Sequence, residues 1–325
     1  MTGEDDRRVP RSRVALQARR AEQRRRARRR RRRAALAVGA IAGVVVVAWL
    51  VTSGGGRRAR VFVAGRTEIA ARGRHPGEGA SATGAENRGG GAAPAVVARE
   101  NAAIDRLLVR QPFISAGGGE RREIALTFDD GPGPYTPLVL DELQRLHVPA
   151  TFFEIGFMFR WFHASVSREL RSGDVIGDHT ETHPMMALLS PAAQQTQILA
   201  QTQWVRRYHG PFPRLWRPPY GSYDSTTLAI LQRLHMLMVL WTVDTDDYLR
   251  PGVGVIVDRA LAGARPGAII LMHDAGGDRT QTIAALPRIV RALRARGYRL
   301  VTVPQLILDD PPRRTQHLPS HLAGG

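Results

Sequence analysis

Between residues 122 and 308 the chain alternates short apolar runs with amphipathic stretches of helical period. Alternation of this kind predicts strands and helices that build a parallel sheet, as an open doubly wound sheet or a barrel. The predicted strands are Glu123–Phe128, Ala150–Ile155, Asp174–Gly177, Leu215–Arg217, Met238–Val243, Ala268–Met272 and Arg299–Thr302. The predicted helices are Pro137–Leu146, Arg160–Ser172, Pro191–His209, Asp224–Leu234, Val253–Ala264 and Ile283–Arg296.

An uncharged apolar stretch, Ala34–Thr52, precedes this region. As a helix it would be roughly 28 Å long, close to the ~30 Å of a bilayer's hydrocarbon core. The preceding arm, residues 1–33, carries fifteen Arg against four acids, which places it in the cytoplasm by the positive-inside rule. We therefore expect a single-pass protein of the cell membrane with its catalytic part outside the cytoplasm. Cleavage of residues 34–52 as a signal peptide, or twin-arginine export, would instead give a secreted protein.

The remaining segments are assigned by composition. The Gly- and Ala-rich residues 53–100 are predicted to form a flexible linker, residues 101–121 a lead-in segment and residues 309–325 a C-terminal tail. The basic arm supplies +11 of the formal charge of +18, and its position beside an apolar span favours contact with anionic lipid headgroups. No nucleic-acid partner is expected. Since the chain has no cysteine, any zinc must be held by histidine and carboxylate.

The most informative motif is Thr127-Phe128-Asp129-Asp130-Gly131, which ends an apolar run. Neighbouring side chains point to opposite faces of a strand, so two adjacent carboxylates can diverge where the strand ends. One could then bind a metal while the other faces a water molecule. An ordinary Asp-rich turn is the alternative, because Asp-Gly and Gly-Pro are common in loops.

A second motif, His179-Thr180-Glu181-Thr182-His183, places two imidazoles four residues apart. On a helical turn both could face a common point, and with a carboxylate they would form a His₂-Asp site with open positions. Two surface histidines near a helix start would give the same pattern. The spacing does not match the H-E-x-x-H motif of metalloproteases, because the glutamate is third in the motif.

Three further motifs follow predicted strands. They are Arg217-Pro218-Pro219-Tyr220, Asp244-Thr245-Asp246-Asp247-Tyr248 and Leu271-Met272-His273. Each has an ordinary explanation: a proline-rich loop, a solvated acidic loop, and a histidine in the core. Together with the first two motifs they place polar groups at the carboxyl ends of several strands, where α/β barrels build their active sites.

In this order the five motifs resemble those of the polysaccharide deacetylases, the NodB-homology group or carbohydrate esterase family four. The resemblance covers residues 122–308 and implies an irregular (β/α)₇ barrel. It implies that Asp130, His179 and His183 bind a divalent metal, with zinc expected. Residues 34–52 and the linker lie outside the resemblance.

The same resemblance implies the catalytic roles. Asp129 would be the general base, oriented by Arg217, and His273 the general acid, paired with a loop carboxylate. The backbone N–H of Tyr220 would stabilise the oxyanion, and Tyr220, Leu271 and Trp241 would line the pocket for the acetyl methyl group. We favour Asp247 over Asp244 as the partner of His273.

One residue departs from the family pattern. The fourth motif of the family usually ends in Asp-Trp, whereas here Tyr248 follows Asp247, which keeps an aromatic wall and adds a hydroxyl group. The expected activity is metal-dependent removal of N-acetyl groups from an extracytoplasmic glycan, with peptidoglycan as the preferred substrate. Chitin-like oligomers, O-acetyl esters and a non-catalytic glycan-binding role on the same fold are the alternatives.

Overall fold

The apolar runs form a parallel sheet in a computed structural model that describes residues 94–319. The strands are β1 (Phe113–Ile114), β2 (Glu123–Asp129), β3 (Thr151–Glu154), β4 (Val175–Asp178), β5 (Leu215–Trp216), β6 (Leu237–Val239), β7 (Val243–Asp244), β8 (Ala268–His273) and β9 (Arg299–Val301). The α-helices are α1 (Pro94–Leu108), α2 (Thr136–Leu146), α3 (Phe159–Ser172), α4 (Pro191–Arg207), α5 (Ser225–Arg233), α6 (Val253–Ala262), α7 (Thr280–Ala295) and α8 (Val303–Asp309).

The strands follow the order β1-β6-β5-β4-β3-β2-β8-β7, with β9 also paired to β2. The strand pairs recorded within residues 94–319 are parallel. The first half of β2 pairs with β9 and its second half with β3, so the sheet curls into a half-barrel. The prediction of a parallel α/β fold with barrel-like curvature is therefore confirmed.

Strand β2 lies at the centre of the fold. All seven of its residues are buried, as expected for a parallel strand covered on both faces. The Phe128 ring stacks on Phe152 of β3, with ring centroids 5.2 Å apart. Each such side chain contributes about 1.5–3 kcal/mol when fully buried. The register pairs Asp129 at the end of β2 with His273 at the end of β8, which brings two of the predicted site residues to one edge.

Two predicted elements differ from the structure. The predicted strand Met238–Val243 is divided into β6 and β7, because Leu240 N–H bonds to Ile114 O while Thr242 N–H bonds to Ile269 O. The chain thus changes neighbours between those two residues. The predicted linker ends earlier than residue 100, since α1 begins at Pro94 and packs against α8 through Ile104 and Leu107.

The described part of the C-terminal tail also contacts the domain. The Gln316 side-chain carbonyl accepts hydrogen bonds from Ser115 N–H (2.8 Å) and Ala116 N–H (3.1 Å). The predicted basic arm, the apolar stretch of residues 34–52 and residues 53–93 of the linker lie outside the described residues. Among residues 94–319, no helix has both the length and the apolar character needed to cross a bilayer.

Candidate active site

Two adjacent carboxylates diverge at the end of β2. Asp129 is the last residue of the strand and is buried, whereas Asp130 has a left-handed backbone with φ of 75°. Asp129 Oδ1 lies 2.7 Å from Arg217 Nη1, and Asp130 Oδ1 lies 3.3 Å from His183 Nε2. The change of backbone conformation after the strand thus sends one carboxylate to an arginine and the other to the histidines.

Asp130, His179 and His183 bring one donor atom each into a common space, with these atoms within 4.8 Å of one another. His179 Nδ1 lies 2.8 Å from the carbonyl oxygen of Arg217. A carbonyl oxygen only accepts, so Nδ1 carries the hydrogen and Nε2 keeps a free lone pair on the side of Asp130. Two imidazoles and a carboxylate with this orientation fit a divalent metal.

Burial lowers the pKa of both histidines in this set. Desolvation is the main cause for each, and the neighbouring His183 lowers the pKa of His179 further. Both imidazoles are therefore neutral near pH 7, the form that binds a metal.

The segment from His179 to His183 is a loop, so its expected placement on a helical turn is wrong. Thr180 and His183 have positive φ angles of 71° and 57°. The Asp178 carboxylate accepts a hydrogen bond from Thr180 N–H at 2.6 Å, and Thr180 Oγ1 accepts one from His183 N–H at 3.0 Å. These local bonds compete with helix formation and hold the two imidazoles on the same side of the loop.

Arg217 is fully buried, and its guanidinium is held by several acceptors. It donates to Asp129 Oδ1 (2.7 Å), Thr127 Oγ1 (2.8 Å) and Val239 O (3.1 Å). The guanidinium carbon also lies 4.0 Å from the Phe153 ring centroid. Burial raises the pKa of Asp129 to about 6, although the charge of Arg217 opposes this shift. Because Arg217 limits the rise in pKa, the buried carboxylate of Asp129 can still lose its proton near neutral pH.

His273 pairs with Asp247, the partner we favoured, and Asp244 instead accepts from Asp246 N–H. Asp247 accepts hydrogen bonds from His273 Nδ1 (2.7 Å), His273 N–H (2.9 Å) and Thr282 Oγ1 (2.6 Å). Burial alone would lower the pKa of His273, but the charge and hydrogen bond of Asp247 raise this pKa to about 9. His273 is therefore a cation near pH 7.

A cavity of about 360 Å³ is lined by residues from each of the five motifs. The predicted wall residues Tyr220, Trp241, Tyr248 and Leu271 all line it. Tyr248 packs edge-on against the His273 ring, with centroids 5.2 Å apart, and burial is the main cause that raises its pKa to about 12. Tyr248 therefore remains a neutral wall beside the histidine.

Tyr220 contributes its backbone as well as its ring. Its φ is 57°, and its N–H has no hydrogen-bond acceptor among residues 94–319. The ring lies 4.4 Å from that of His183, centroid to centroid. The ring of Tyr220 therefore lies beside the histidine cluster, and the N–H of the same residue is available to a ligand.

Sequence reasoning missed several polar residues at the site. Arg279 lines the cavity, is almost fully buried and donates from Nε to Ala275 O at 2.5 Å. Glu154, Glu169 and Asp274 are buried and form what we call the buried carboxylate group. A Cβ on Gly131 would meet the side-chain oxygens of Asp274 and Glu154 within 2.8 Å, so only glycine fits there. The sequence feature that could have indicated this group is Glu154, a charged residue at the end of the apolar strand β3.

Burial favours the protonated forms of the buried carboxylate group. Burial, then neighbouring carboxylates, raises the pKa of Glu154 and Glu169 well above the ordinary value, and burial raises that of Asp274 to about 7. The carboxylate oxygens of Glu154 and Glu169 are buried and accept no hydrogen bond from residues 94–319, so their charged forms are poorly stabilised. Thr136 donates to Asp274. The group lies beside Gly131, next to Asp130, and its raised pKa values reduce the negative charge that it adds there.

Known proteins resemble this chain in sequence and in fold. The polysaccharide deacetylase family model matches residues 116–239. A chitooligosaccharide deacetylase from Bradyrhizobium sp. (strain ANU 289) is 38% identical over 216 residues, which cover 62% of this chain and 98% of that protein. A peptidoglycan-N-acetylglucosamine deacetylase from Bacillus cereus is 34% identical over 204 residues, which cover 62% of this chain and 74% of that protein.

A solved structure gives the same result. The crystal structure of a peptidoglycan N-acetylglucosamine deacetylase in complex with a naphthyl-substituted N-hydroxybenzamide has a TM-score of 0.60 and 33% identity. The match covers 64% of this chain and 98% of that one. The sequence relatives and the half-barrel lead to one assignment: this chain belongs to the polysaccharide deacetylase family, carbohydrate esterase family four, and is a deacetylase of the hydrolase class.

Proposed function

We propose that this chain removes the N-acetyl group of N-acetylglucosamine residues in an extracytoplasmic glycan, with peptidoglycan as the substrate and zinc as the metal. One observation carries the proposal. The Asp130, His179 and His183 donors share a single cavity with a carboxylate whose pKa is about 6 and an imidazole whose pKa is about 9. Groups with separated pKa values in one cavity are the usual sign of a base and an acid.

A bound metal fits the chemistry of the three donors. Neutral imidazoles and a carboxylate, without thiolate, suit zinc and leave positions open. When bound there, a divalent metal supplies Lewis-acid polarisation of an acetamide carbonyl and acidifies water. The protein's part is to present His179 Nε2, His183 Nε2 and a carboxylate oxygen of Asp130.

Asp129 serves as the general base. Its carboxylate is ionised above about pH 6, so it can take a proton from the attacking water at neutral pH. Arg217 fixes Oδ1 at 2.7 Å, which leaves Oδ2 as the atom that accepts the proton. Oδ2 lies 3.8 Å from His179 Nε2, on the side of the cluster.

His273 serves as the general acid. An amide nitrogen cannot leave as an anion, so it must gain a proton as the C–N bond breaks. Asp247 occupies Nδ1, and Nε2 is therefore the atom that donates to the departing amine. The Tyr220 N–H donates to the oxyanion that develops on the former carbonyl oxygen.

Peptidoglycan and chitooligosaccharides both contain N-acetylglucosamine, and the two named relatives act on these two glycans. We favour peptidoglycan because a domain tethered by residues 34–52 through a flexible segment would have the cell wall within reach. In this proposal the N-terminus is cytoplasmic and the catalytic part extracytoplasmic. Residues 34–52 lie outside the described residues, so the argument for the membrane depends on sequence alone.

The experiment measures acetate released by the purified full-length chain from peptidoglycan, from N-acetylglucosamine oligomers and from an O-acetylated xylan. The proposal expects release from the first two, with the higher kcat/KM on peptidoglycan. Higher kcat/KM on the oligomers would replace peptidoglycan with a chitin-like substrate. Release from xylan alone would make the protein an esterase, and binding without release would make it a non-catalytic glycan-binding protein.

A further inference from the structure

A group of aromatic and basic side chains is exposed beside the catalytic cavity. We call it the aromatic shelf and define it by Phe157, Arg160, Trp161 and Trp204. Phe157 is 38% exposed and Trp161 is 55% exposed, although both are large apolar side chains. Contiguous exposed apolar surface of this kind marks a binding site more often than a single exposed residue does.

The shelf is ordered by contacts among its own members. The Phe157 and Trp161 rings pack edge to face, with centroids 4.6 Å apart and an interplanar angle of 73°. The Arg160 guanidinium carbon lies 4.6 Å from the Phe157 ring centroid, 5.2 Å from that of Trp161 and 5.4 Å from that of Trp204. One cation thus holds three rings in place, which lowers the entropy lost when a ligand binds to them.

Backbone and side-chain hydrogen bonds attach the shelf to the loop that carries the two metal-binding histidines. Phe157 N–H donates to Glu181 O at 2.9 Å, and Gly156 N–H donates to Thr180 O at 3.0 Å. Trp204 Nε1 donates to Glu181 Oε1 at 3.3 Å. Ile155, two residues before Phe157, lines the catalytic cavity. The shelf therefore adjoins the two segments, at Ile155 and at His179–His183, that line one side of the cavity.

Trp204 is partly buried and packs on the core, but a role in the core does not account for Phe157 and Trp161. Phe159, on the same turn, is fully buried and packs with Val166 and Val205, whereas more than half of Trp161 remains in solvent. Residue 161 is therefore an exposed tryptophan beside an arginine, at a site where a polar residue would be expected. Tryptophan and arginine are also enriched among the residues that dominate binding at protein interfaces.

We propose that the aromatic shelf binds a pyranose ring of the glycan strand at a position neighbouring the residue that is deacetylated. The C–H face of a pyranose is apolar and packs on an aromatic ring, while Arg160 offers N–H donors to hydroxyl and carbonyl oxygens. The inference rests on the proposed function, since it names where the rest of the same substrate binds. Binding of a remote sugar at the shelf anchors the acetamide in the cavity.

The test is the dependence of kcat/KM on chain length, with N-acetylglucosamine disaccharide to hexasaccharide and the full-length protein. For Trp161→Ala we expect kcat/KM on the hexasaccharide to fall by about tenfold, mainly through KM. On the disaccharide it should stay unchanged. Trp161→Phe should recover most of the loss. Phe212→Ala is the matched control. Phe212 is 46% exposed, but it precedes β5 and so lies toward the amino ends of the strands, whereas the cavity lies at their carboxyl ends.

Equal effects of Trp161→Ala on all chain lengths, or no effect on any, would overturn the shelf proposal while leaving deacetylation intact. Absence of acetate release by the wild type would instead remove the proposed function. The shelf is then judged by titration calorimetry with the hexasaccharide: the proposal expects weaker binding by Trp161→Ala than by Phe212→Ala, and equal affinities would contradict it.

Discussion

The ion pair between His273 and Asp247 gives the sharpest quantitative prediction. In Asp247→Asn the largest of the charges that raise the histidine pKa is lost, while the burial that lowers it and the smaller effects of Asp130 and Asp129 that raise it remain. The pKa of His273 should therefore fall from about 9 to about 6.5, its ordinary value, which corresponds to roughly 3 kcal/mol. Since His273 must be protonated to act as the acid, activity is lost as pH rises through this pKa.

The loss of activity in Asp247→Asn should depend on pH. This dependence distinguishes a lost proton on His273 from a misoriented His273 ring. At about pH 8, a histidine with a pKa of about 9 is about 90% protonated, whereas one with a pKa of 6.5 is about 3% protonated. At about pH 6 the two are about 100% and 76% protonated. The ratio of wild-type to variant kcat/KM should therefore be about 20- to 30-fold larger at pH 8 than at pH 6, whatever constant factor misorientation adds.

The assay is acetate release over this pH range, with Asp244→Asn as the matched control. Asp244 lies in the same loop but bonds to Asp246 N–H, so its variant should keep the wild-type pH profile. Histidine NMR gives the pKa of His273 directly in both variants. A pH-independent ratio for Asp247→Asn, or an unchanged pKa, would refute the reasoning.

Three further predictions concern the metal donors, the buried arginine and the buried carboxylate group. His183→Ala removes one of three donors, and zinc affinity in titration calorimetry should fall by more than about 100-fold; an unchanged affinity would exclude the site. Arg217→Met leaves the Asp129 carboxylate buried and unpaired, so the free energy of unfolding should fall by about 3–5 kcal/mol, and a loss below about 1 kcal/mol in denaturant titration would contradict this. In the folded state, burial raises the pKa of both Glu154 and Glu169, so stability is lost as pH rises above 4.5 through the folded values. Glu169→Gln should therefore raise the melting temperature at about pH 8 by at least about 3 °C, with the gain shrinking toward about pH 4; a gain that is equal at both pH values would argue against raised pKa values of the two glutamates.

Much of the site could be predicted because parallel strands bring their carboxyl ends to one edge. Asp129 and His273 are far apart in the chain, and both end apolar runs that read as strands. Once those runs are neighbours in a parallel sheet, their last residues must lie together, as the register of β2 and β8 shows. The identity of the histidine's partner needed the structure, because Asp244 and Asp247 follow the same strand.

The features that the sequence did not reveal depend on long-range contacts or on unusual backbone. The apolar run from Met238 to Val243 is continuous, and only the hydrogen bonds to β1 and β8 divide it. Helix α1 has a modest apolar face within an Ala-rich segment, and its stability comes from packing on α8. The left-handed conformation of Thr180 carries no clear sequence signal, because threonine rarely adopts it.

The most direct test of the account is simultaneous measurement of acetate and free amine produced from N-acetylglucosamine hexasaccharide by the full-length chain. It is run after removal of metal with a chelator, after readdition of zinc, and with Asp129→Asn in the presence of zinc. The account predicts equal amounts of acetate and amine with zinc, none after chelation, and none from Asp129→Asn despite retained zinc binding. Undiminished release after verified metal removal, or from Asp129→Asn, would contradict a metal-dependent reaction in which Asp129 is the base.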